Sequence, residues 1–265
     1  MKNIIVVTGA SSGMGKEFVA QIDRKEKVDE IWVIARREEK LKELQSLVNA
    51  KIVPIVLDLT NREKIKDVYK KKIDEEKPNV KVLACIAGWG RFAHFESVSA
   101  DENISMIDTN LTSTVLMVNY TLDYMKEGSN IMILCSGSSV QPVPYINMYG
   151  ATKAALLSFS RSLNRELKYR GIHVLAVSPL WVETEFFNRA INKNEKPVVI
   201  NYGTIDSAEG VIKKAIKDLY SKKDVSKYAF HNKFQQALVK ILPHSLIMSI
   251  WMKQQKLDGT PNIRR

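Results

Sequence analysis

The run Asn3-Ile4-Ile5-Val6-Val7-Thr8-Gly9-Ala10-Ser11-Ser12-Gly13-Met14-Gly15-Lys16-Glu17-Phe18-Val19-Ala20 decides how this chain is read. It passes from an apolar strand-like segment straight into three glycines and then into helix-forming residues. Glycines let the backbone turn tightly and approach a pyrophosphate, and the helix that follows offers unpaired N–H groups to anionic oxygens. The spacing is Gly-x-x-x-Gly-x-Gly, not Gly-x-Gly-x-x-Gly. Because it closes a strand and opens a helix, it is read as a dinucleotide loop, with Gly9, Ser11, Ser12, Gly13, Met14 and Gly15 at the cofactor. An ordinary glycine-rich turn is the plainer alternative.

Outward from this loop, short β-rich runs alternate with amphipathic helical patterns. Strands are expected at 3–8, 30–35, 51–57, 81–86, 130–135 and 172–178, with a weaker one near 226–230. Helices are expected at 13–24, 38–48, 61–76, 101–126, 147–169 and 207–221. Continuous apolar runs such as Ile131-Met132-Ile133-Leu134 suggest parallel strands covered on both faces. The expectation is an α/β, doubly wound Rossmann-type fold: a mostly or wholly parallel seven-stranded sheet, helices on both faces and an extra C-terminal amphipathic helical segment. Residues 1–265 are read as a single domain, with 185–205 as a substrate lid and 232–256 as a helical extension.

Composition narrows the function classes. A hydrophobic fraction of 45% supports a large core, and 40 Lys+Arg against 29 Asp+Glu gives a net charge of +11. No arginine-rich run or aromatic–basic interleaving points to nucleic acid, so the lysines read as solvated helix faces that still attract anionic cofactors or membranes. Cys85 and Cys135 fall near the ends of buried strands and are expected as free thiols in a reducing compartment. The first strand leaves no room for a signal peptide, and no stretch reaches the roughly 20 apolar residues of a membrane span. A cytoplasmic protein is expected. No residue is assigned to a metal.

The second strand ends Ile34-Ala35-Arg36-Arg37, with no acid to bond a ribose 2′-hydroxyl. Arginines there suit a 2′-phosphate, so NADP(H) is favoured over NAD(H). Asp58, followed by Leu59, closes the third strand and is placed to reach the adenine; capping with Thr60 is its alternative. Further on, Tyr149 and Lys153 lie four residues apart, one helical turn, with Ser136 thirteen residues upstream of the tyrosine. An adjacent ammonium favours the phenolate, and a phenol so tuned can exchange a proton with a carbonyl or alcohol oxygen. Taken alone, Tyr-x-x-x-Lys is more often an accident of a surface helix.

Assembled, these residues resemble the short-chain dehydrogenase/reductase family, in its common single-domain type, over about residues 3–230. Thr8 to Gly15 matches the family's Thr-Gly-x-x-x-Gly-x-Gly, Ala87-Gly88 the end of its Asn-Asn-Ala-Gly motif, and Asn110 its helix-four asparagine. Ser136, Tyr149 and Lys153 complete the tetrad, and Pro179, Val182 and Thr184 match later cofactor contacts. Three departures stand out. Cys85-Ile86 replaces the paired asparagines, Leu180 replaces the glycine after Pro179, and Ser12 stands where some NADP-preferring members have a basic residue. The resemblance implies hydride transfer at nicotinamide with Tyr149 as general acid/base, Ser136 on the substrate oxygen and Lys153 on the phenol and the ribose. It implies that Asn110 holds a water linking Lys153 to solvent; Ser138 is a rival to Ser136, since Cys135-Ser136-Gly137-Ser138-Ser139 offers several hydroxyls, and Ser136 is preferred because its separation from Tyr149 fits the family pattern.

Trp89, Val140, Val143, Tyr145, Trp181, Phe186 and Phe187 are candidate pocket walls, with Ser138, suggesting a lipophilic ketone, aldehyde or alcohol. In the C-terminal segment, Phe234, Leu238, Ile241 and Leu242, then Leu246, Ile247, Ile250 and Trp251, follow helical spacing, broken by Pro243. With Lys233, Lys240, Lys253 and Lys256 the segment could lie on a membrane through 233–256; packing on the lid or a second subunit is the favoured reading. A homodimer or homotetramer through 101–126 and 147–169 follows from the resemblance. A non-catalytic NADP(H)-sensing protein and a sugar-nucleotide epimerase or dehydratase remain as alternative functions.

Overall fold

All four residues of Ile4-Ile5-Val6-Val7 are fully buried, because β1 (Asn3–Thr8) runs through the middle of a sheet covered on both faces. The computed structural model describes residues 1–191 and 196–257. After β1 come α1 (Gly13–Ile22), β2 (Glu30–Ala35), α2 (Glu38–Lys42), β3 (Lys51–Val56), α3 (Arg62–Lys64) and α4 (Lys71–Glu76). β4 (Asn79–Cys85), α5 (Ala100–Ile107), α6 (Ser113–Thr121), β5 (Asn130–Leu134), α7 (Asn147–Glu166) and β6 (His173–Val177) follow. The chain then forms β7 (Trp181–Glu183), α8 (Phe186–Ala190), β8 (Ile205–Ser207), α9 (Ala208–Tyr220), β9 (Val225–Ser226), α10 (Ala229–Leu238) and α11 (His244–Gln254).

Seven strands pair in the order β3-β2-β1-β4-β5-β6-β9, all parallel, with helices around them, as the apolar runs imply. The alternation of β1 sends Ile4 and Val6 into one core layer with Leu156 and Leu163 of α7. Ile5 and Val7 enter the other, against Phe18, Val19 and Ile22 of α1 and Val211 and Ile212 of α9. Each such side chain contributes roughly 1.5–3 kcal/mol by leaving water. Strand order reverses between β1 and β4. The ends of those strands open a crevice where α/β sheets bind ligands.

Several expected boundaries shift. The strand anticipated at 226–230 is the two-residue β9, which pairs only with Ala176 and Val177, and α10 starts at Ala229. The long helix expected at 101–126 is interrupted by a π-helical turn, Asp108–Thr112, that carries Asn110; such turns favour functional sites. Within 185–205, where no helix or strand is expected, the chain forms the short helix α8 and the strand β8, which pairs in parallel with β7. Those strands are three residues long, too short for periodicity to register. Residues 192–195 of that stretch lie outside the described residues.

The C-terminal segment divides. Trp251 of α11 stacks with Trp181 at 6.4 Å and donates to Pro144 O at 3.1 Å, while Gln255 accepts from Ile200 N and Asn201 N. Packing onto the stretch after β6 is therefore a property of α11. The apolar stripe of α10 does not share it: Phe234 is 59% and Ile241 80% exposed.

Candidate active site

One cavity of roughly 470 Å³ runs along the strand ends from the glycine loop to Trp251. At its β1 end Gly15 packs on Gly9, so closely that a Cβ at Gly15 would stand 2.1 Å from the Gly9 carbonyl oxygen. Only a bare backbone makes this turn. Ser12, extended at φ −166°, gives the first turn of α1 no side-chain cap, leaving its N–H groups for an anion. Ser11, Ser12, Gly13, Met14, Arg36, Arg37, Asp58, Leu59, Ala87, Gly88, Pro179, Val182 and Thr184 all line this cavity. These features fit a dinucleotide: a backbone cradle for the pyrophosphate and arginines at the end of β2.

The two arginines differ. Arg36 is exposed at the cavity rim, whereas Arg37 donates to Glu185 Oε2 at 2.9 Å and to Ser11 Oγ at 3.2 Å. Asp58 accepts from both Thr60 N (3.0 Å) and Thr60 Oγ1 (2.9 Å), the capping alternative, while still facing the cavity. Burial alone would raise its carboxyl; the Thr60 hydrogen bonds and the cations Arg36 and Arg189 outweigh that and lower it. Arg189, on α8, was not singled out in the sequence. Its guanidinium lies 3.7 Å from the Trp89 ring centroid, on the cavity wall near Arg36 and Asp58.

The other end gathers Ser136, Tyr149 and Lys153. Ser136 stands two residues past the end of β5 and accepts from Ser138 N at 3.2 Å; Tyr149 and Lys153 share the first turns of α7. Lys153 is 1% exposed and donates to Leu134 O at 2.6 Å, with its ammonium 5.7 Å from the Tyr149 ring centroid. Here the sequence expectation needs correcting. Burial pushes the Tyr149 phenol up to about 12, with the Ser136 hydroxyl pulling the other way. The same burial pushes Lys153 down to about 8. In this packing desolvation, and not the neighbouring ammonium, sets the direction in which the phenol shifts.

Asn110 is fully buried, and its amide is engaged at both ends. Oδ1 accepts from Trp89 N at 2.9 Å, and Nδ2 donates to Trp89 O (2.9 Å) and Thr152 Oγ1 (3.0 Å). The side chain thus clamps the loop after β4 to α7, one residue from Lys153.

Aromatic residues close the pocket. Phe92, Val143, Ile146, Trp181, Phe186 and Trp251 form one cluster around Tyr149, and Trp89, Val143, Trp181, Phe186 and Phe187 face the cavity. Val140 and Tyr145 do not line it; Tyr145 backs the wall, edge-on to His94 at 4.8 Å. Gly90 is a further residue missed in the sequence: a Cβ there would come 2.8 Å from Tyr149 Cδ2, so only glycine admits the phenol ring in this position. Gln141 is another. Among the described residues, Ser138 Oγ and Gln141 Oε1 are buried without a hydrogen-bond partner, and both residues face the cavity.

Two of the departures have local compensations. Without paired asparagines after β4, the Thr8 hydroxyl of β1 accepts from Ile86 N (3.1 Å) and Ala87 N (3.2 Å), tying the two strand ends together. Leu180 packs over Gly137, where a Cβ would stand 2.3 Å from Leu180 Cδ2, and Gly137 N donates to Pro179 O. Cys85 and Cys135 are buried free thiols, pushed up to about 12 by that burial.

Comparison with known proteins agrees with this architecture. The family model for short chain dehydrogenase matches residues 3–196. The NADP-dependent 3-hydroxy acid dehydrogenase of Schizosaccharomyces pombe is 32% identical over 189 residues, covering 69% of this chain and 72% of that protein. The very-long-chain 3-oxoacyl-CoA reductase of Anas platyrhynchos is 29% identical over 261 residues, covering 95% and 79%. A solved short-chain dehydrogenase from Sphingobium yanoikuyae in complex with NADPH superposes with a TM-score of 0.77 at 20% identity, covering 99% of this chain and 98% of that one. The chain belongs to the short-chain dehydrogenase/reductase family of oxidoreductases.

Proposed function

We propose that this protein is an NADP(H)-dependent oxidoreductase that interconverts a lipophilic ketone or aldehyde and its alcohol, with Tyr149 as general acid/base. One observation carries the reading: Tyr149, Ser136 and Lys153 share a single cavity with a dinucleotide cradle at one end and an aromatic pocket at the other. Arg36 supports preference for the 2′-phosphorylated cofactor, as does the likeness to an NADP-dependent dehydrogenase. When bound, the nicotinamide supplies the hydride in reduction or accepts it in oxidation. Ser136 orients the substrate oxygen and stabilises charge developing on it. Tyr149 hands its proton to that oxygen in reduction and takes one back in oxidation. A phenol held at about 12 stays protonated at neutral pH, which suits the reductive direction. Lys153 holds positive charge beside the phenol below about pH 8 and, in this reading, would bind the ribose hydroxyls of the cofactor.

The pocket argues for an apolar substrate carrying a few polar groups. Phe92, Trp181, Phe186 and Trp251 exclude water from the reacting carbon, and Ser138 and Gln141 offer unpartnered polar atoms for orientation. Likeness to a 3-oxoacyl-CoA reductase makes acyl-chain carbonyls the first class to try. Exposed Ile104 of α5 and Val115 of α6 support self-association through those helices.

A screen of aliphatic, aromatic and acyl-thioester ketones with NADPH and with NADH tests the reading. We expect turnover with NADPH that Tyr149→Phe lowers by roughly 10²–10⁴-fold, while cofactor fluorescence shows NADPH binding retained. Turnover that survives in Tyr149→Phe removes Tyr149 from the mechanism. Binding of neither NADPH nor NADH removes the enzyme reading altogether.

A further inference from the structure

For a helix lying on a folded body, α10 is inside out. Its inner side carries amides: Asn232 and Gln236 are 0% and 1% exposed, and both donate to Ser178 O at 3.0 Å. Its outer side carries Phe230, Phe234 and Leu238, with Ile241 in the turn that follows, at 80%, 59%, 41% and 80% exposure. Steps of four, four and three residues hold these side chains on one stripe. Phe230 and Phe234 stack on each other, ring centroids 6.1 Å apart and 20° from parallel, so the stripe is continuous. Single exposed apolar residues are ordinary, but a continuous aromatic stripe marks a surface that another body covers.

Charge identifies that body. From Lys227 to Leu257 the sequence holds five lysines, two histidines and no aspartate or glutamate. Lys233 and Lys240, seven residues apart, are both exposed and share one flank of the stripe. A second copy of this chain would meet the stripe with the same uncompensated lysines, and like charges facing each other oppose such a contact. An anionic phospholipid surface complements both halves, taking phenylalanines among the acyl chains and lysines at the phosphates. No helix among the described residues is long and apolar enough to cross a membrane, which leaves contact at the surface.

We propose that α10 is an interfacial docking helix that seats this protein on anionic phospholipid membranes through Phe230, Phe234, Leu238 and Ile241, with Lys233 and Lys240 on the headgroups. Gln235 of the same helix and Trp251 of α11 line the cavity, so the docked face adjoins the pocket. The docking itself stands independently of which carbonyl the pocket accepts.

Flotation of the purified full chain with vesicles tests this. Binding to phosphatidylcholine vesicles containing phosphatidylserine is expected, with about tenfold or more weaker binding to phosphatidylcholine alone and at high salt. The double variant Phe230→Ser/Phe234→Ser removes only exposed rings. It should keep its thermal melt and its NADPH binding while losing the vesicles. Absence of wild-type binding to the anionic vesicles overturns the proposal, as does binding retained by the double variant. Sedimentation velocity covers the competing occupant: an oligomer that the double variant dissociates assigns the stripe to a second copy and overturns membrane docking, whereas an unchanged oligomeric state supports it.

Discussion

At Lys153, burial strips water from an ammonium whose protein acceptor is the carbonyl oxygen of Leu134. The folded chain therefore releases that proton near pH 8, while the unfolded chain holds it to about 10.5. Between those values the unfolded state binds more protons, so the contribution of Lys153 to stability rises with pH. Denaturant melts of wild type and Lys153→Met should show the difference moving in favour of wild type from about pH 8 to 10. A pH-independent difference would mean that Lys153 is solvated. At the cofactor end, Arg36 is exposed on the rim whereas Arg37 is paired with Glu185. Arg36→Ala is accordingly expected to weaken NADPH by about tenfold or more and NADH little, by fluorescence titration; equal losses would make the arginine structural. The tetrad and the arginines could be found in the sequence from their order behind the glycine loop and the family resemblance that order carries. The burial that reverses the expected phenol shift could not, because it depends on Phe186 and Gly90, which are remote from Tyr149 in sequence.

At the scale of elements, short strands are joined by side chains as well as by ladders. Thr8 of β1 is 2% exposed and receives two backbone N–H groups from the chain after β4. Thr8→Val keeps the shape and leaves both donors buried without that acceptor. A loss of roughly 1–3 kcal/mol is expected in urea melts; an unchanged midpoint would mean that the ends of β1 and β4 need no such tie. Helix α8 brings Arg189 against Trp89 and near Asp58, which adds a third cation to the cofactor half of the cavity. Long alternating elements were legible from periodicity because burial on both faces demands apolar runs. α8, β7 and β8 were not: at three to five residues they owe their form to the walls they complete.

For the whole molecule, the sequence carries a net charge of +11, and Arg36, Arg37 and Arg189 line the cavity proposed for the cofactor. The field should speed capture of NADPH, so its association rate in stopped-flow fluorescence should fall about tenfold between low and high ionic strength. A salt-independent rate would confine the effect to local contacts. Order along the chain determined the parallel sheet, the glycine loop at its centre and the register of Tyr149 with Lys153, since each follows from short-range geometry: period two, period 3.6 and a turn only glycine can make. Tertiary structure alone decided what those residues experience. It buried Lys153 under Leu134, spent the amide of Asn110 on Trp89 and turned the amides of α10 inward and its phenylalanines outward. The reason is that desolvation and hydrogen-bond satisfaction are set by neighbours in space, and a linear pattern does not contain them.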